Sequence, residues 1–391
     1  MTFADAQSFM ATRGIDAWLV YDFRGSNPVL ELALPGRRHT TRRAFLLVPA
    51  RGEPTVLVHG LDANQYQDLA GVRRQLYTSW REMHDWLRAA VSPFARVAME
   101  YAPGCTLPVV SVVDAGTVEL VRSVGVEVVS SADVIQFHVA RWSPEAVEAH
   151  ERASALTAGI KDEAFDMIRR AHRAERAINE RQVQEFILGR FEKEGLETAE
   201  APIVAVNGHA GDPHFEVSAM NPSPIVPGDW VLIDLWSRFP GNRNIFSDIT
   251  WVGYCGATVP TRHREVFGVV RAARDASVAL AKTAWSGKQR LQGWQLDDAA
   301  RDVIVHAGYE RGVKHRTGHS LSPGPRVHGL GFNLDNLETH DTREVLPGLG
   351  FTVEPGIYLP EFGVRLEINV YIDPTTGPRV TSCVQDEIVL M

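Results

Sequence analysis

Residues 351–372 read FTVEPGIYLPEFGVRLEINVYI: an apolar strand interrupted by Glu354 just before a Pro-Gly turn, then an apolar return strand interrupted by Glu367. Strand side chains alternate between faces, so Arg365 and Glu367 share one. A carboxylate in a buried strand is costly unless it is paired. An internal salt bridge accounts for Arg365 more readily than for two buried glutamates sharing it. The same anomaly appears upstream in VLIDLW (231–236), where Asp234 stands in an apolar run. After the loop SRFPGNRNIF, the stretch SDITWV (247–252) carries Asp248 and Thr250 on one strand face, where Thr250 can orient a ligating carboxylate. Taken singly, such an Asp is more often a strand-end residue hydrogen-bonded to a turn than a metal ligand. A hairpin joining Asp234 to Asp248 makes a like-charge pair, tolerable only with a metal or a proton between them.

Two further segments supply imidazoles. HRTGHS (315–320) presents His315 and His319, and RVHG (326–329) adds His328. For each, a satisfied structural histidine is the plainer alternative. Together Asp234, Asp248, Glu354 and Glu367 offer four negative charges, enough to neutralise two divalent cations, with His319 as a neutral fifth ligand. Hard oxygen donors with a single imidazole suit manganese, and also cobalt, zinc or iron. Two such ions sharing a water lower its pKa and produce a hydroxide nucleophile, so hydrolysis is the expected chemistry.

The rest of the chain frames this region. At 391 residues two domains are expected. A net charge of −8 argues against a nucleic-acid or anionic-membrane partner. No apolar stretch approaches the roughly 20 residues of a membrane span, and the N-terminus carries acid in place of a basic leader. Cys105, Cys255 and Cys383 form no CxxC pair and read as incidental thiols in a reducing compartment. These features predict a cytoplasmic protein whose partners are small solutes or proteins. From the start to about Phe137, apolar runs such as DAWLVY (16–21), RAFLLVPA (43–50), PTVLVHG (54–60) and RVAMEY (96–101) alternate with helix-like stretches, which gives an α/β domain. None of it gathers catalytic groups, so it reads as a scaffold, a pocket rim or a dimer contact. After Arg141 a Ser cap and long helical periodicity open residues 143–175, a second helix follows over 179–195, and strands dominate from Ala201. The boundary is drawn there, giving domains 1–141 and 142–391. The charged run 263–275 fits the solvated face of a helix.

In order and wording, these segments resemble the pita-bread metallohydrolases: aminopeptidase P, prolidase, methionine aminopeptidase and creatinase. The match covers the chain from about Ser143 to its end and, more loosely, a creatinase- and prolidase-like N-terminal domain, within an α/β (α+β) fold class. The resemblance implies metal ligands at Asp234, Asp248, His319, Glu354 and Glu367. It implies that His328 donates to the scissile carbonyl oxygen, that His214 in GDPHFE (211–216) lies near the leaving amine, and that Glu354 also shuttles a proton. It further implies that His315 flanks a proline pocket and that Arg365 holds Glu367 in place. Asp234 and Asp248 lie 248 − 234 = 14 apart through the insert FPGNRN, and His328 lies 328 − 319 = 9 past His319 through SPGP. Both spacings exceed the family's usual ones. Gly329 and Ile368 stand where relatives carry acids. These departures bear on pocket shape and substrate preference and leave the ligands intact.

The resemblance implies a Xaa-Pro metallopeptidase, closest to Xaa-Pro dipeptidase, acting on small peptides and associating as a homodimer. Aminopeptidase P activity on longer peptides is the near alternative. A creatinase-like amidinohydrolase and a non-catalytic binding module are the more distant ones, since both are expected to shed ligands. A dipeptidase must pair the free proline carboxylate with a fixed cation, which arginine does through two parallel hydrogen bonds. Arg343, just ahead of the Glu354 strand, is the expected reader, with Arg316 and Arg326 as further candidates. The SPGPR and FPGNRN loops are expected to close the far end of the cleft.

Overall fold

The computed structural model describes residues 3–34, 36 and 38–391, and the chain divides into two compact units, Met1–Arg141 and Trp142–Met391.

The first unit is a mixed six-stranded sheet of order β4-β3-β2-β1-β5-β6. Its strands are β1 (Ala17–Phe23), β2 (Arg43–Pro49), β3 (Thr55–His59), β4 (Arg73–Tyr77), β5 (Arg96–Met99) and β6 (Glu127–Ser130). The helices are α1 (Ala4–Thr12), α2 (Pro28–Ala33), α3 (Trp80–Val91), α4 (Ala115–Arg122) and α5 (Ala132–His138). Helix α3 starts where Ser79 and Glu82 close a reciprocal capping box, and it buries Met83, Leu87 and Val91, one residue per turn. Those side chains meet Leu19, Phe45 and Val97 from the sheet. The apolar spacing between residues 80 and 137 points to helices, and the short β6 lies among them. With two of its four residues half-buried, it is too short to show an alternation.

The second unit carries α6 (Pro144–Arg173) and α7 (Glu180–Lys193) against a four-stranded sheet of order β16-β9-β8-β7. Those strands are β7 (Ile203–Val206), β8 (Trp230–Ser237), β9 (Ser247–Tyr254) and β16 (Val389–Leu390). Helix α6 begins as its cap predicts: the Ser143 side chain accepts from Ala146 N–H, and Pro144 occupies the first turn, where its missing donor costs nothing. Its buried stripe, including Ile160, Ala164, Phe165 and Ile168, packs on Val231, Ile233, Leu235 and Ile249 of the sheet. Truncating Phe165 to Ala would cost about 3–5 kcal/mol. The opposite face of β8 begins apolar, with Trp230 and Leu232 packed against α8 (Thr261–Ser286) and α9 (Gly293–His306). It then changes character at Asp234 and Trp236.

Helix α9 was not singled out by sequence, because Asp297 takes a core position in its otherwise apolar stripe of Leu296, Ala300 and Ile304. A second four-stranded sheet has order β10-β11-β14-β15, from β10 (Ser320–Leu321), β11 (Gly350–Val353), β14 (Ile368–Asp373) and β15 (Gly377–Val380). Between β11 and β14 the chain forms a separate two-stranded sheet, β12 (Gly356–Tyr358) with β13 (Gly363–Arg365). The stretch 351–372 is therefore one long hairpin broken on both arms. Glu354 sits at one break and Glu367 at the other. Pro355 lacks an N–H for a ladder, which accounts for the first break.

Candidate metal centre

The β8–β9 pairing sets Asp234 opposite Thr250 and Trp236 opposite Asp248. Asp234 and Asp248 are thus diagonal neighbours on the face turned away from α6. Glu367 is drawn to the same place by its backbone, which donates to Thr250 O at 3.2 Å, and by Thr250 Oγ1, which donates to Glu367 Oε2 at 2.8 Å. Arg365 Nε donates to Thr250 Oγ1 at 3.0 Å, and Nη2 donates to Asp234 Oδ2. The expected Arg365–Glu367 support is therefore indirect. The guanidinium pairs with Asp234, and Thr250 relays its hold to Glu367.

From the other side, His319 Nε2 lies 3.3 Å from Asp248 Oδ2 and 3.5 Å from Glu354 Oε1. With Nδ1–H directed to Ser320 O at 3.1 Å, Nε2 presents its lone pair to the carboxylates, a tautomer assigned from the network. Thr352 Oγ1 accepts from His319 N–H at 2.9 Å and donates to Glu354 Oε1 at 3.0 Å. Asn369 brackets the Asp248 peptide, accepting from its N–H at 3.0 Å and donating to its carbonyl.

The ligand atoms of Asp248, His319 and Glu367 lie within 4.8 Å of one another, with Asp234 and Glu354 bordering them. Burial, with Asp234 and Glu354 nearby, pushes Asp248 well above the usual carboxylate range, and burial beside Asp248, Glu354 and Asp234 does the same to Glu367. Burial pushes Glu354 up to about 7 against the pull of Arg365. His319 is held well below its usual value by burial, with His328 and Arg316 adding repulsion. One guanidinium cannot neutralise four carboxylates, and Asp234 Oδ1 is buried without a hydrogen-bond partner among the described residues. That orphaned oxygen, in a donor set of hard oxygens and one imidazole, fits divalent cations.

The remaining expected residues distribute as follows. The His328 ring lies 4.1 Å from that of His319, and burial pushes it down to about 4, so it is neutral at pH 7. His315 is pushed down to about 3 by burial and Arg365, with Nε2 2.6 Å from Tyr358 Oη. His214 is exposed on the loop after β7. All three line a cavity of about 1140 Å³ together with Asp234, Asp248, His319, Glu354, Arg365 and Glu367.

Arg343 does not line this cavity. It is 3 % exposed and its guanidinium is held by Asp341, with Nε–Oδ1 at 2.9 Å and Nη2–Oδ2 at 2.6 Å, while Nη1 donates to Leu330 O. The expectation that it reads a substrate carboxylate is corrected by that buried pair. The two inserts also behave differently from the expectation. Gly324 N–H donates to Asn242 O at 2.8 Å, so they brace each other, and no residue of 239–244 or 322–326 lines the cavity.

Sequence reading missed Tyr358, which links His315 to Arg365 Nη1 at 2.9 Å, and also Thr352 and Asn369. A signal existed for the last two. Each lies two residues from an expected ligand on a strand and so shares its face.

Comparison with known proteins agrees with this architecture. The model of metallopeptidase family M24 matches residues 148–374. The Xaa-Pro dipeptidase of Lactobacillus helveticus is 32% identical over 166 residues, 42% of this chain and 40% of that protein. The Xaa-Pro dipeptidase of Pyrococcus furiosus is 29% identical over 204 residues, covering 52% and 53%. The alignments thus span about half the length of these curated relatives or less. Among solved structures, dipeptidase PepE from Mycobacterium ulcerans superposes with a TM-score of 0.75 at 23% identity, over 99% of this chain and 96% of that one. The prolidase from Pyrococcus horikoshii gives 0.67 at 22%, over 98% and 99%. At such identities these two likenesses speak for the fold alone.

Proposed function

The chain belongs to metallopeptidase family M24, and on that premise we propose that it hydrolyses the Xaa-Pro bond of dipeptides. The observation that carries this reading is the buried set of Asp248, His319 and Glu367, bordered by Asp234 and Glu354, with Asp234 Oδ1 lacking a partner among the described residues. Asp234, Asp248, His319, Glu354 and Glu367 would hold two divalent ions, manganese being the best match to their chemistry. Bound there, the ions would supply Lewis acidity and a water of lowered pKa.

The protein's own groups do the rest. Neutral His328 donates an N–H to the scissile carbonyl oxygen as charge develops on it. Glu354 takes the proton of the attacking water and delivers it to the proline nitrogen as the C–N bond breaks. His214 stands beside that departing amine. His315, fixed by Tyr358, borders the proline ring. Glu367 and Asp234 are kept in place through Thr250 and Arg365.

Cleavage of Xaa-Pro from longer peptides is the second reading, favoured by the cavity itself: about 1140 Å³ exceeds the roughly 300–1,000 Å³ usual for small-molecule sites. A homodimer in the cytoplasm completes the proposal. Among the described residues no helix is long and apolar enough to cross a membrane. The test is release of proline from Ala-Pro by the purified manganese-loaded protein, with Ala-Ala as control. Activity lost on chelation and regained with manganese is the expected result. Equal turnover of Ala-Ala, or turnover that survives chelation with metal content at zero, would overturn the proposal.

A further inference from the structure

With Arg343 held by Asp341, the group that recognises the substrate's carboxylate must be sought among the cations that line the cavity: Arg181, Lys314, Arg316 and Arg365. Arg365 is fully engaged by Asp234, Thr250 and Tyr358. Arg181 pairs with Glu185 along α7. Lys314 Nζ donates to Gly211 O at 2.6 Å and lies 5.8 Å from the Tyr358 ring.

Arg316 differs in two respects. Its backbone is fixed on both sides: His315 is bonded to Tyr358, and Thr317 donates to Asp297 from N–H at 3.0 Å and from Oγ1 at 2.6 Å. Only one edge of its guanidinium is used. Nη1 donates to Glu338 Oε2 at 3.0 Å and lies 4.0 Å from Asp335 Oδ2, and the backbone N–H donates to Glu338 Oε1, while Nε and Nη2 have no partner among the described residues.

We propose that Arg316 reads the terminal carboxylate of the dipeptide through its open Nε–Nη2 edge, while Glu338 and Asp335 hold the other edge still. This rests on the dipeptidase reading above and names the residue that would make it a dipeptidase. A fork held at one end and anchored through its backbone loses little further entropy on binding a planar carboxylate, which favours it over the single ammonium of Lys314.

The experiment compares kcat/KM for Ala-Pro, Ala-Pro amide and Ala-Pro-Ala in the manganese-loaded parent and in Arg316→Gln. In the parent, Ala-Pro is expected to exceed the amide about 30-fold, equivalent to about 2 kcal/mol. In Arg316→Gln, Ala-Pro should fall about 30-fold and the amide by less than about threefold, so that the preference vanishes. The amide serves as the internal control, because damage to the fold lowers all three substrates together. A uniform loss overturns the proposal in favour of a structural role. Discrimination that persists in the variant overturns it in favour of another cation and leaves the dipeptidase reading standing. A parent that cleaves the amide and the tripeptide as well as Ala-Pro sinks that reading first, whatever the variant does.

Discussion

Both units bury carboxylates, and they do so in opposite ways. Glu100, in the first unit, is wholly buried and accepts from Trp18 Nε1 at 2.8 Å, Asn27 Nδ2 at 2.9 Å, Ser131 Oγ at 3.1 Å and Tyr21 N–H at 3.4 Å. Each of its oxygens is bonded, and no other carboxylate is among its partners. In the second unit Asp234, Asp248, Glu354 and Glu367 crowd around one guanidinium, and Asp234 Oδ1 has no partner among the described residues. Burial alone thus marks nothing functional. A satisfied acid is a fastening within a core, whereas a set of acids short of positive charge is a site awaiting cations.

The contrast breaks most sharply at the ligands. Asp234→Ala or Glu354→Ala should reduce kcat/KM by more than about 1000-fold while the chain stays folded, since charge repulsion is relieved and no core is opened. Activity within tenfold of the parent under matched metal supply would mean that the cluster is not the centre. Glu100→Gln should leave kcat unchanged.

Glu100 sharpens the comparison through pH. Burial pushes it from 4.5 up to about 7. The folded chain keeps a proton that the unfolded chain gives up, so this contribution is complete below pH 4.5 and is lost as pH rises through about 7. The loss is about 3 kcal/mol at most. Thermal melts of the metal-loaded parent between pH 5 and 8 should show the decline, and Glu100→Gln should flatten it. An unchanged slope in the variant would assign the effect elsewhere.

His328 tests whether the second cluster does more than hold charge. Replacement by Ala should lower kcat about 100-fold with bound metal unaltered. Lost metal would make it a ligand, and unaltered kcat would make it structural. The smallest effect belongs to the relay: Thr250→Val should cost about tenfold in activity by loosening Glu367 from Arg365. A full-activity variant would show that the backbone bond from Glu367 to Thr250 suffices.

Much of this was readable because apolar patterns were interrupted. Asp234, Glu354 and Glu367 each stand where a core residue belongs, and the Ser143 cap announces α6. What escaped notice was polar chemistry in ordinary residue types. Thr352 and Tyr358 are common strand residues, Thr352 and Asn369 were marked only by lying two residues from a ligand, and the partners of all three are fixed only once β11, β14 and β12 are assembled. Arg343 was misread because position in the chain was weighed and its neighbour was not. Asp341, two residues earlier, was close enough to claim the guanidinium locally. The inserts misled in the same way, since length differences say where chain is added and not which way it turns.

The crowding of Asp248, Glu354 and Glu367 has an outcome for how the centre is filled. Burial and mutual repulsion raise all three carboxyls, and whatever protons they hold must leave before a cation can take their oxygens. Filling is therefore an ion exchange. It acidifies an unbuffered solution, and its apparent affinity falls as the medium becomes more acid, steeply where more than one proton is traded per ion.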